Sequence, residues 1–261
     1  MIKMENLHKS FEDLEVLKGV SLQVEKGEIL ALIGGSGHGK TVILKHVAGL
    51  MKPDRGHVYI NGKDVFNLRR DELEQLRSHL GFLFQSGALF SSLTVFDNVA
   101  FPLREKTHLS KQEIREKVLN VLEQVGLGGA EEKYPAQISG GMIKRTALAR
   151  SLVRHPEIML FDEPTTGLDP VIAHTILDLI KSIHKDLGFT GMIVSHELSN
   201  VFQIVQKVAM LHDGVILFVG TPEEITASRN PIVRQFVTEA LRIPSSAMGN
   251  FYQEEKLDEK R

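Results

Sequence analysis

The sequence has no cysteine, little net charge and no long apolar run. Without cysteine the chain cannot form disulfides, thiolate zinc sites or a cysteine nucleophile, which suits a reducing compartment. With a formal net charge of −2, any attraction to nucleic acid or to an anionic membrane needs a local patch. No run approaches the roughly 18 apolar residues of a membrane span, and the start, MIKMENLHKSFED, is charged where a signal peptide is apolar. We therefore expect any work at a membrane to need a separate membrane subunit.

What the sequence does have is an ordinary composition for a folded protein. Of its 261 residues, 42% are hydrophobic and 25% charged, enough for one large domain or for a core with an inserted subdomain. Residues 2–24 alternate apolar and polar positions, which predicts antiparallel strands. Phe11 lies among them in a polar setting, either as a strand-edge aromatic or as a stacking platform for a base.

Residues 34–41 read GGSGHGKT and follow the apolar run 29–33. Glycines allow successive backbone N–H groups to converge on an anion, and the following helix N-terminus adds favourable partial charge. Lys40 would reach the β- and γ-phosphates of a nucleotide, and the Thr41 hydroxyl would bind Mg²⁺. A strand before the loop and a helix after it make a chance match a poor explanation, so we predict nucleotide binding.

Two further apolar runs end in polar residues. Residues 158–163 read IMLFDE, as expected of a strand buried on both faces, and carboxylates at its end lie where open α/β sheets bind ligands. Asp162 would hold Mg²⁺, directly or through water, and Glu163 would orient or deprotonate a water molecule. The alternative is a pair of ordinary turn residues. Residues 190–194 predict a second such strand, after which His196 again occupies a strand end.

Several segments predict helices. Ser110 and Glu113 form a capping-box pattern before an amphipathic helix to Val125. Ser139-Gly140-Gly141 opens another helix with four basic residues, interpreted as a solvated face rather than a nucleic-acid site: Lys144, Arg145, Arg150 and Arg154. Further along, residues 207–219 predict a hairpin, Thr221 a helix cap and residues 230–241 a helix, whereas the charged end beyond Phe251 predicts a mobile tail unless a partner orders it.

Taken together, these stretches resemble the ATP-binding-cassette ATPases over residues 2 to about 227. The loop at 34–41 is similar to the family's Walker A, Gln85 to the Q-loop glutamine, residues 138–142 (ISGGM) to the signature, and residues 161–163 to Walker B. Asp169 is similar to the D-loop aspartate, His196 to the switch histidine, and Phe11 to the aromatic residue that stacks on adenine. One departure is Met142, a thioether where the family usually has an amide, so any polar contact of that amide is in doubt.

The resemblance implies a fold, cofactors and site residues. The fold is α/β, the P-loop NTPase fold of these ATPases: a mixed sheet core with an antiparallel β subdomain and an inserted α-helical subdomain at about 86–156, all within residues 1–227. A C-terminal helix and charged tail would occupy 228–261. The cofactors would be ATP and Mg²⁺. The implied catalytic residues are Lys40, Gln85, Glu163 and His196. The implied ATP contacts are Phe11, Gly34, Gly35, Ser36, Gly37, His38, Gly39, Lys40, Thr41, Ser139, Gly140, Gly141 and Asp169. The implied Mg²⁺ ligands are Thr41, Gln85 and Asp162.

Within that family, residues 84–90 and 94–105 resemble the ATPase subunits of Mla/Mce-type lipid transporters, as do Met142 and residues 233–236. This implies a homodimer that drives lipid transport through an integral membrane permease, with a single-span lipid-binding Mce-type subunit and no nucleic acid. The location would be peripheral, on the cytoplasmic face of the inner membrane. Apolar residues around the Q-loop would either seat a permease helix or pack internally: Phe90, Leu93, Val95, Phe96, Phe101 and Leu103.

Two other classes stay open from sequence. A soluble cassette protein could act on ribosomes or DNA, but such proteins resemble tandem cassettes or carry long coiled-coil insertions, and this chain has neither. A phosphate-loop kinase could share residues 34–41. Glu163, the Ser-Gly-Gly helix start and His196 argue against it.

Overall fold

The computed structural model describes residues 1–241, which form two sheets and nine α-helices. The first sheet is antiparallel, in the order β2-β1-β4-β5. Its strands are β1 (Ile2–Phe11), β2 (Leu14–Val24), β4 (Arg55–Ile60) and β5 (Lys63–Asp64). The antiparallel strands predicted for residues 2–24 are therefore confirmed, with β1 paired along β2.

The second sheet is mixed and has the order β10-β9-β3-β8-β7-β6. Its strands are β3 (Ile29–Ile33), β6 (Leu80–Leu83), β7 (Ile158–Asp162), β8 (Thr190–Val194), β9 (Lys207–His212) and β10 (Val215–Gly220). All neighbours are parallel except β9 and β10, which form the predicted hairpin. Strands β3, β7 and β8 are buried at every residue, because both faces of this sheet are covered.

Side chains alternate between the two faces of the central sheet and divide the core in two. From β3, Ala31 and Ile33 join a core with the helices, whereas Leu30 and Leu32 join a core with the antiparallel sheet. The same alternation holds in β7, where Phe161 lies in the first core and Leu160 in the second. A continuous apolar run is thus explained by burial on both faces, and it fixes the carboxyl ends of these strands at one edge.

Helices flank the sheets. Those before β6 are α1 (Lys40–Val47) and α2 (Arg70–Ser78). Between β6 and β7 lie α3 (Val95–Lys106), α4 (Lys111–Gln124), a short 3-10 helix (Pro135–Gln137) and α5 (Gly140–Leu152). The remaining helices are α6 (Pro170–Leu187), α7 (Leu198–Val201), α8 (Pro222–Thr226) and α9 (Pro231–Leu241). Across residues 1–241, none of these helices combines the length and apolar character needed to cross a bilayer.

The predicted helix starts are confirmed by their caps. Ser110 Oγ accepts from the Glu113 N–H at 3.3 Å, and the Glu113 carboxylate accepts from the Ser110 N–H at 2.7 Å. These two hydrogen bonds complete the capping box of α4. Thr221 caps α8 in the same way. Val233 and Val237 of α9 are buried in the helix-side core, so this helix packs on its own chain. The tail beyond residue 241, including the predicted mobile segment, lies outside the described residues.

The apolar residues around the Q-loop differ in how deeply they are buried. Val95 and Leu103 are buried in the core, and Phe96 packs against it, so these three have the internal role. Phe90 and Phe101 are 44% and 38% exposed, with ring centroids 4.8 Å apart. These two exposed rings are the residues to which the predicted contact with a permease helix still applies.

Candidate functional site

The loop between β3 and α1 requires glycine for steric reasons at two positions. A Cβ on Gly34 would lie 2.1 Å from the Leu211 carbonyl oxygen, because β9 runs directly beside the loop. Gly39, with φ 97°, is the residue before the first turn of α1, and a Cβ there would lie 2.7 Å from Val16 Cγ1. The loop is therefore compact and its backbone N–H groups are free of Cβ atoms at these points.

Lys40 closes this loop from inside. Its side chain is almost fully buried, and Nζ donates to the carbonyl oxygens of Gly34 at 2.9 Å and Gly35 at 2.7 Å. Burial lowers the pKa of Lys40, and the negative charges of Glu163 and Asp162 act in the opposite direction. An ammonium held only by carbonyl dipoles in a desolvated loop is well suited to bind an anion.

Thr41, the next residue, connects the loop to the end of β7. Its hydroxyl donates to Asp162 Oδ1 at 2.9 Å. Burial raises the pKa of Asp162, while the hydrogen bond from Thr41 lowers it and the charge of Glu163 raises it further. A buried carboxylate beside a hydroxyl is an oxygen donor set of the kind that a hard divalent cation binds.

Glu163 lies one residue beyond β7 with φ 48°, in the left-handed region that few side-chain-bearing residues adopt. Its Oε2 accepts from Gln85 Nε2 at 2.7 Å and from the Thr166 hydroxyl at 2.9 Å, and its Oε1 lies 3.9 Å from His196 Nδ1. The structure thus brings Gln85, Glu163 and His196 together at the edge where Thr41 and Asp162 meet. The Glu163 backbone begins the turn to Thr166, as the turn alternative expected, and hydrogen bonds from Gln85 and Thr166 also hold its carboxylate near His196.

Lys144 is the site residue that the sequence argument missed. The expected solvated face of α5 is wrong for this residue, which is 6% exposed and whose ammonium donates to the Gln85 carbonyl and, at 3.3 Å, to the Glu163 carbonyl. The signal was present in the spacing, since Gly141, Lys144 and Leu148 fall on one helix face and all are buried.

Two other basic residues of α5 also differ from that expectation. Arg150 donates to the Gly87 and Ala88 carbonyls, each at 2.7 Å, and Arg145 donates to the Gly126 carbonyl at 3.0 Å. Burial lowers the pKa of Arg150. These side chains hold the loop after β6 and the end of α4 against α5, so they build the helical region of this chain.

The signature segment lies at the N-terminus of α5. Ser139 Oγ caps this helix by accepting from the Met142 N–H at 3.3 Å. Gly141 is close to α6, because a Cβ there would lie 2.6 Å from Ile172 Cγ2, and Gly140 lies near Leu168. Within residues 1–241, this segment therefore contacts its own helix and residues 168–172.

Within residues 1–241, no hydrogen bond joins Asp169 or Phe11 to Thr41 or Asp162. Asp169 Oδ1 caps α6 by accepting from the N–H groups of Val171 at 3.1 Å and Ile172 at 3.0 Å. Phe11 ends β1 with its ring 41% exposed and with Lys9 Nζ 5.5 Å from the ring centroid. Neither contact tests a role with nucleotide, so both remain predictions.

The gathered residues lie at the carboxyl ends of β3, β6, β7 and β8, the edge where open α/β sheets bind ligands. A cavity of about 390 Å³ lies near the opposite edge, lined among others by Lys26, Ile158 and Thr190. It contains none of the gathered residues. A phosphate loop, a buried carboxylate beside a hydroxyl and an oriented glutamate together define a nucleoside-triphosphate-hydrolysing site of the phosphate-loop class.

Comparison with known proteins places the chain within that class. Residues 17–166 match the model of the family described as "ABC transporter", and the chain belongs to this family. The fold and the predicted ATPase class are therefore confirmed, and the chain is an ATP-hydrolysing cassette.

Two relatives and one solved structure illustrate the similarity. The chain is 42% identical to the intermembrane phospholipid transport system ATP-binding protein MlaF of Haemophilus influenzae, over 91% of this chain and 90% of that one. It is also 42% identical to a probable ribonucleotide transport ATP-binding protein, mkl, of Mycobacterium leprae, over 90% of this chain and 68% of that one. A dimeric post-hydrolysis structure of the ATP-binding cassette MJ0796 with ADP and Pi matches at 33% identity and a TM-score of 0.78, covering 85% of this chain and 99% of that one.

Proposed function

We propose that two copies of this chain enclose two ATP molecules and that Glu163 is the residue that activates water for hydrolysis. The supporting observation is the Glu163 carboxylate, which Gln85, Thr166 and His196 surround immediately beside the Thr41–Asp162 pair. A carboxylate held in one orientation at the end of a buried strand can accept a proton from an attacking water. His196 Nδ1, 3.9 Å from Glu163 Oε1, would help to hold the Glu163 carboxyl group in place after proton transfer.

The phosphate groups would occupy the loop at residues 34–41. Backbone N–H groups of Gly35, Ser36, Gly37, His38 and Gly39 would donate to phosphate oxygens. Lys40 would exchange its two carbonyl partners for the β- and γ-phosphates. The exposed ring of Phe11 would stack on adenine.

Mg²⁺ fits the donors that the structure brings together. The Thr41 hydroxyl and the Asp162 carboxylate are 2.9 Å apart, and Asp162 is buried with a raised pKa, which a cation would lower. The side-chain oxygen of Gln85 would complete the protein's share of oxygen ligands. When bound, Mg²⁺ neutralises charge on the β- and γ-phosphates.

The signature segment would act on the other copy. Ser139 and the N-terminus of α5 would point their hydroxyl and partial positive charge at a γ-phosphate bound by the partner's loop, with Gly140 and Gly141 leaving room for approach. Asp169 would lie at the interface between copies. The dimeric state of the similar cassette structure supports this pairing.

We propose further that hydrolysis drives phospholipid transport through an integral membrane permease, with an Mce-type single-span subunit, on the cytoplasmic face of the inner membrane. The MlaF relative supports the phospholipid cargo, although the mycobacterial relative's name assigns ribonucleotides to that protein. Residues 1–227 would form the ATPase domain, with the helical subdomain at about 86–156 receiving the permease. Mass spectrometry of lipids that co-purify with the assembled complex tests the cargo.

The hydrolytic role is tested by Glu163→Gln. The amide keeps the shape but cannot accept the proton, and removing a general base commonly lowers the rate about 10²–10⁴-fold. ATP affinity should be retained, and ATP should trap a dimer visible by size-exclusion mass measurement. Glu157→Gln, an exposed change before the amino end of β7, is the matched control. A Glu163→Gln protein with more than about half of the wild-type rate would contradict the assignment.

A further inference from the structure

A group of three side chains with metal-ligand chemistry joins the phosphate loop to the β9–β10 turn. Within the part of the chain that the structure describes, His38, His212 and Asp213 form the only set of three histidine or acidic side chains whose ligand atoms all lie within 4.8 Å of one another. His212 Nε2 is 3.6 Å from Asp213 Oδ2, and His38 Nδ1 is 4.0 Å from Asp213 Oδ1. The hydrolytic mechanism uses none of these three side chains.

The two segments that carry these side chains are held in place. His38 belongs to the phosphate loop and lies over Gly35, where a Cβ would meet His38 Nε2 at 2.8 Å. Asp213 and Gly214 form the two-residue turn of the β9–β10 hairpin, with φ 46° and 83°. The Gly214 carbonyl accepts from the Lys18 N–H at 2.8 Å, which fixes the turn to β2. The ligands therefore start from a partly organised arrangement.

The ligand chemistry selects the type of ion. Two imidazole nitrogens and one carboxylate oxygen suit Zn²⁺ and related transition ions, whereas Mg²⁺ and Ca²⁺ prefer sets of oxygen ligands. Zinc–ligand bonds of about 2.0–2.2 Å place tetrahedral ligand atoms roughly 3.4 Å apart. With one ligand atom taken from each residue, the three atoms all lie within 4.8 Å of one another, so side-chain rotation of about an ångström brings them to that spacing.

One existing contact has to be exchanged. The Asp213 N–H donates to His38 Nδ1 at 3.3 Å, and coordination through this nitrogen would replace that bond. The side chains of His38 and His212 are 26% and 30% exposed, and that of Asp213 is 73% exposed. An ion can therefore enter from solvent, and a water molecule can complete the tetrahedron.

We propose that His38, His212 and Asp213 bind one divalent ion of the zinc class and that this ion ties the phosphate loop to the β9–β10 turn. The site is distinct from the Thr41–Asp162 pair, which offers oxygen ligands only. The bound ion would restrict movement of the phosphate loop, because it would cross-link the loop to the neighbouring hairpin.

The test is calorimetric titration of ZnCl₂ into the full-length, untagged, metal-free protein without nucleotide. The wild-type protein should bind one equivalent of Zn²⁺ at this site. His212→Gln removes one ligand outside the phosphate loop, and Asp213→Asn removes the carboxylate while keeping a residue that tolerates positive φ. Each variant should weaken Zn²⁺ binding more than about tenfold. Removing a residue that only hydrogen-bonds to a metal ligand already lowers metal affinity about 10–100-fold, and these variants remove a ligand itself.

Two controls make the result specific. His174→Gln disrupts an exposed pair with Asp178, 3.3 Å apart, that has no third ligand among residues 1–241, and it should leave Zn²⁺ binding unchanged. Zn²⁺ should raise the thermal unfolding midpoint of the wild-type protein and of His174→Gln, but not that of His212→Gln. Absence of stoichiometric Zn²⁺ binding, or binding that survives unchanged in both His212→Gln and Asp213→Asn, would overturn the proposal.

Discussion

At the residue scale, burial of the Asp162 carboxylate places it at the site but lowers the stability of the folded protein. Its carboxylate is 5% exposed, and burial raises its pKa above the ordinary value of 3.8. The ionised form is therefore disfavoured in the folded protein, and a cation bound beside Asp162, as proposed, would offset this cost. A site that requires a buried charge is expected to lose stability until its ligand arrives.

We predict that Asp162→Asn stabilises the nucleotide-free protein at neutral pH and abolishes Mg²⁺-dependent hydrolysis. An amide can still accept from Thr41 without a buried charge, and a gain of about 1 kcal/mol corresponds to ~2–4 °C in the unfolding midpoint of a domain this size. Because the folded-state pKa is raised, the difference from wild type should shrink as the pH falls through that pKa towards 3.8.

Thermal scans across pH and steady-state ATPase assays check this prediction. Asp178→Asn on the exposed face of α6 is the control, with no comparable shift in midpoint expected. A destabilised Asp162→Asn at neutral pH, or one that retains hydrolysis, would contradict the account of this carboxylate.

Lys144 gives the second prediction for a single residue. Its ammonium joins the Gln85 and Glu163 carbonyls, so Lys144→Met should leave two carbonyl groups poorly satisfied and loosen the position of the Glu163 carboxylate. We expect kcat to fall at least about tenfold, a barrier increase of ~1.4 kcal/mol, with the KM for ATP nearly unchanged. Lys144→Arg, which keeps a donor, should recover part of the rate.

Steady-state kinetics separate these effects. Lys117→Met on the exposed face of α4 controls for loss of a lysine in the helical region. Equal kcat values for Lys144→Met and Lys117→Met would show that the buried ammonium does not position Glu163.

The sequence predicted individual residues well where residue type and strand position pointed to the same chemistry. Asp162 and Glu163 end a continuous apolar strand, and Lys40 and Thr41 end a glycine-rich loop, so their gathering at one sheet edge was predictable. Lys144 was not, because charge favours solvent unless a partner is known, and its partners are two backbone carbonyls distant in sequence. Thr166 was missed for a different reason: a hydroxyl in a loop carries no sequence signal that it will donate to the Glu163 carboxylate three residues earlier.

At the scale of elements, strands buried on both faces and capped helices were predictable, whereas α2 and α3 were not. Within α2 no residue is buried and only Leu73 and Leu76 are apolar, so the segment has too few apolar positions to predict a helix from sequence. In α3, Pro102 lies inside the helix and buried residues include Asn98, whose amide donates to the carbonyls of Phe90, Leu93 and Thr94. Tertiary contacts decide such segments more than local pattern does.

The prediction for α3 concerns its exposed aromatic pair. Phe90 and Phe101 lie with centroids 4.8 Å apart beside an apolar core that continues inward through Val95 and Leu103. Phe101→Ser should therefore weaken capture of the permease in detergent-solubilised membranes while leaving the basal ATPase rate of the isolated protein within about twofold, because the ring is partly exposed and outside the site.

Pull-down with the cognate membrane permease, quantified by mass spectrometry, measures the effect. Leu187→Ser, at a similarly exposed apolar residue at the end of α6, should leave capture unchanged. Undiminished capture by Phe101→Ser would assign the aromatic pair to internal packing alone.

At the scale of the whole molecule, the proposed composite site draws on two parts of the chain. The phosphate loop, Asp162 and Glu163 would form one half, whereas Ser139 of the other half has its side-chain hydrogen bond within its own helix. A composite site made by two copies explains both halves, and it predicts that each copy contributes a different half to each ATP. The tail beyond residue 241 takes no part in this account.

The most direct measurement of the composite site is the ATPase rate of a mixture of two inactive proteins, Lys40→Ala and Ser139→Ala. Random pairing leaves one intact site in each mixed dimer, so we expect up to roughly a quarter of the wild-type rate. Ser110→Ala, which removes a serine cap of the same 3.3 Å geometry from α4, controls for lost helix capping and should remain active alone. Recovery on mixing is the predicted result, and a mixture no more active than its two components alone would contradict the composite site.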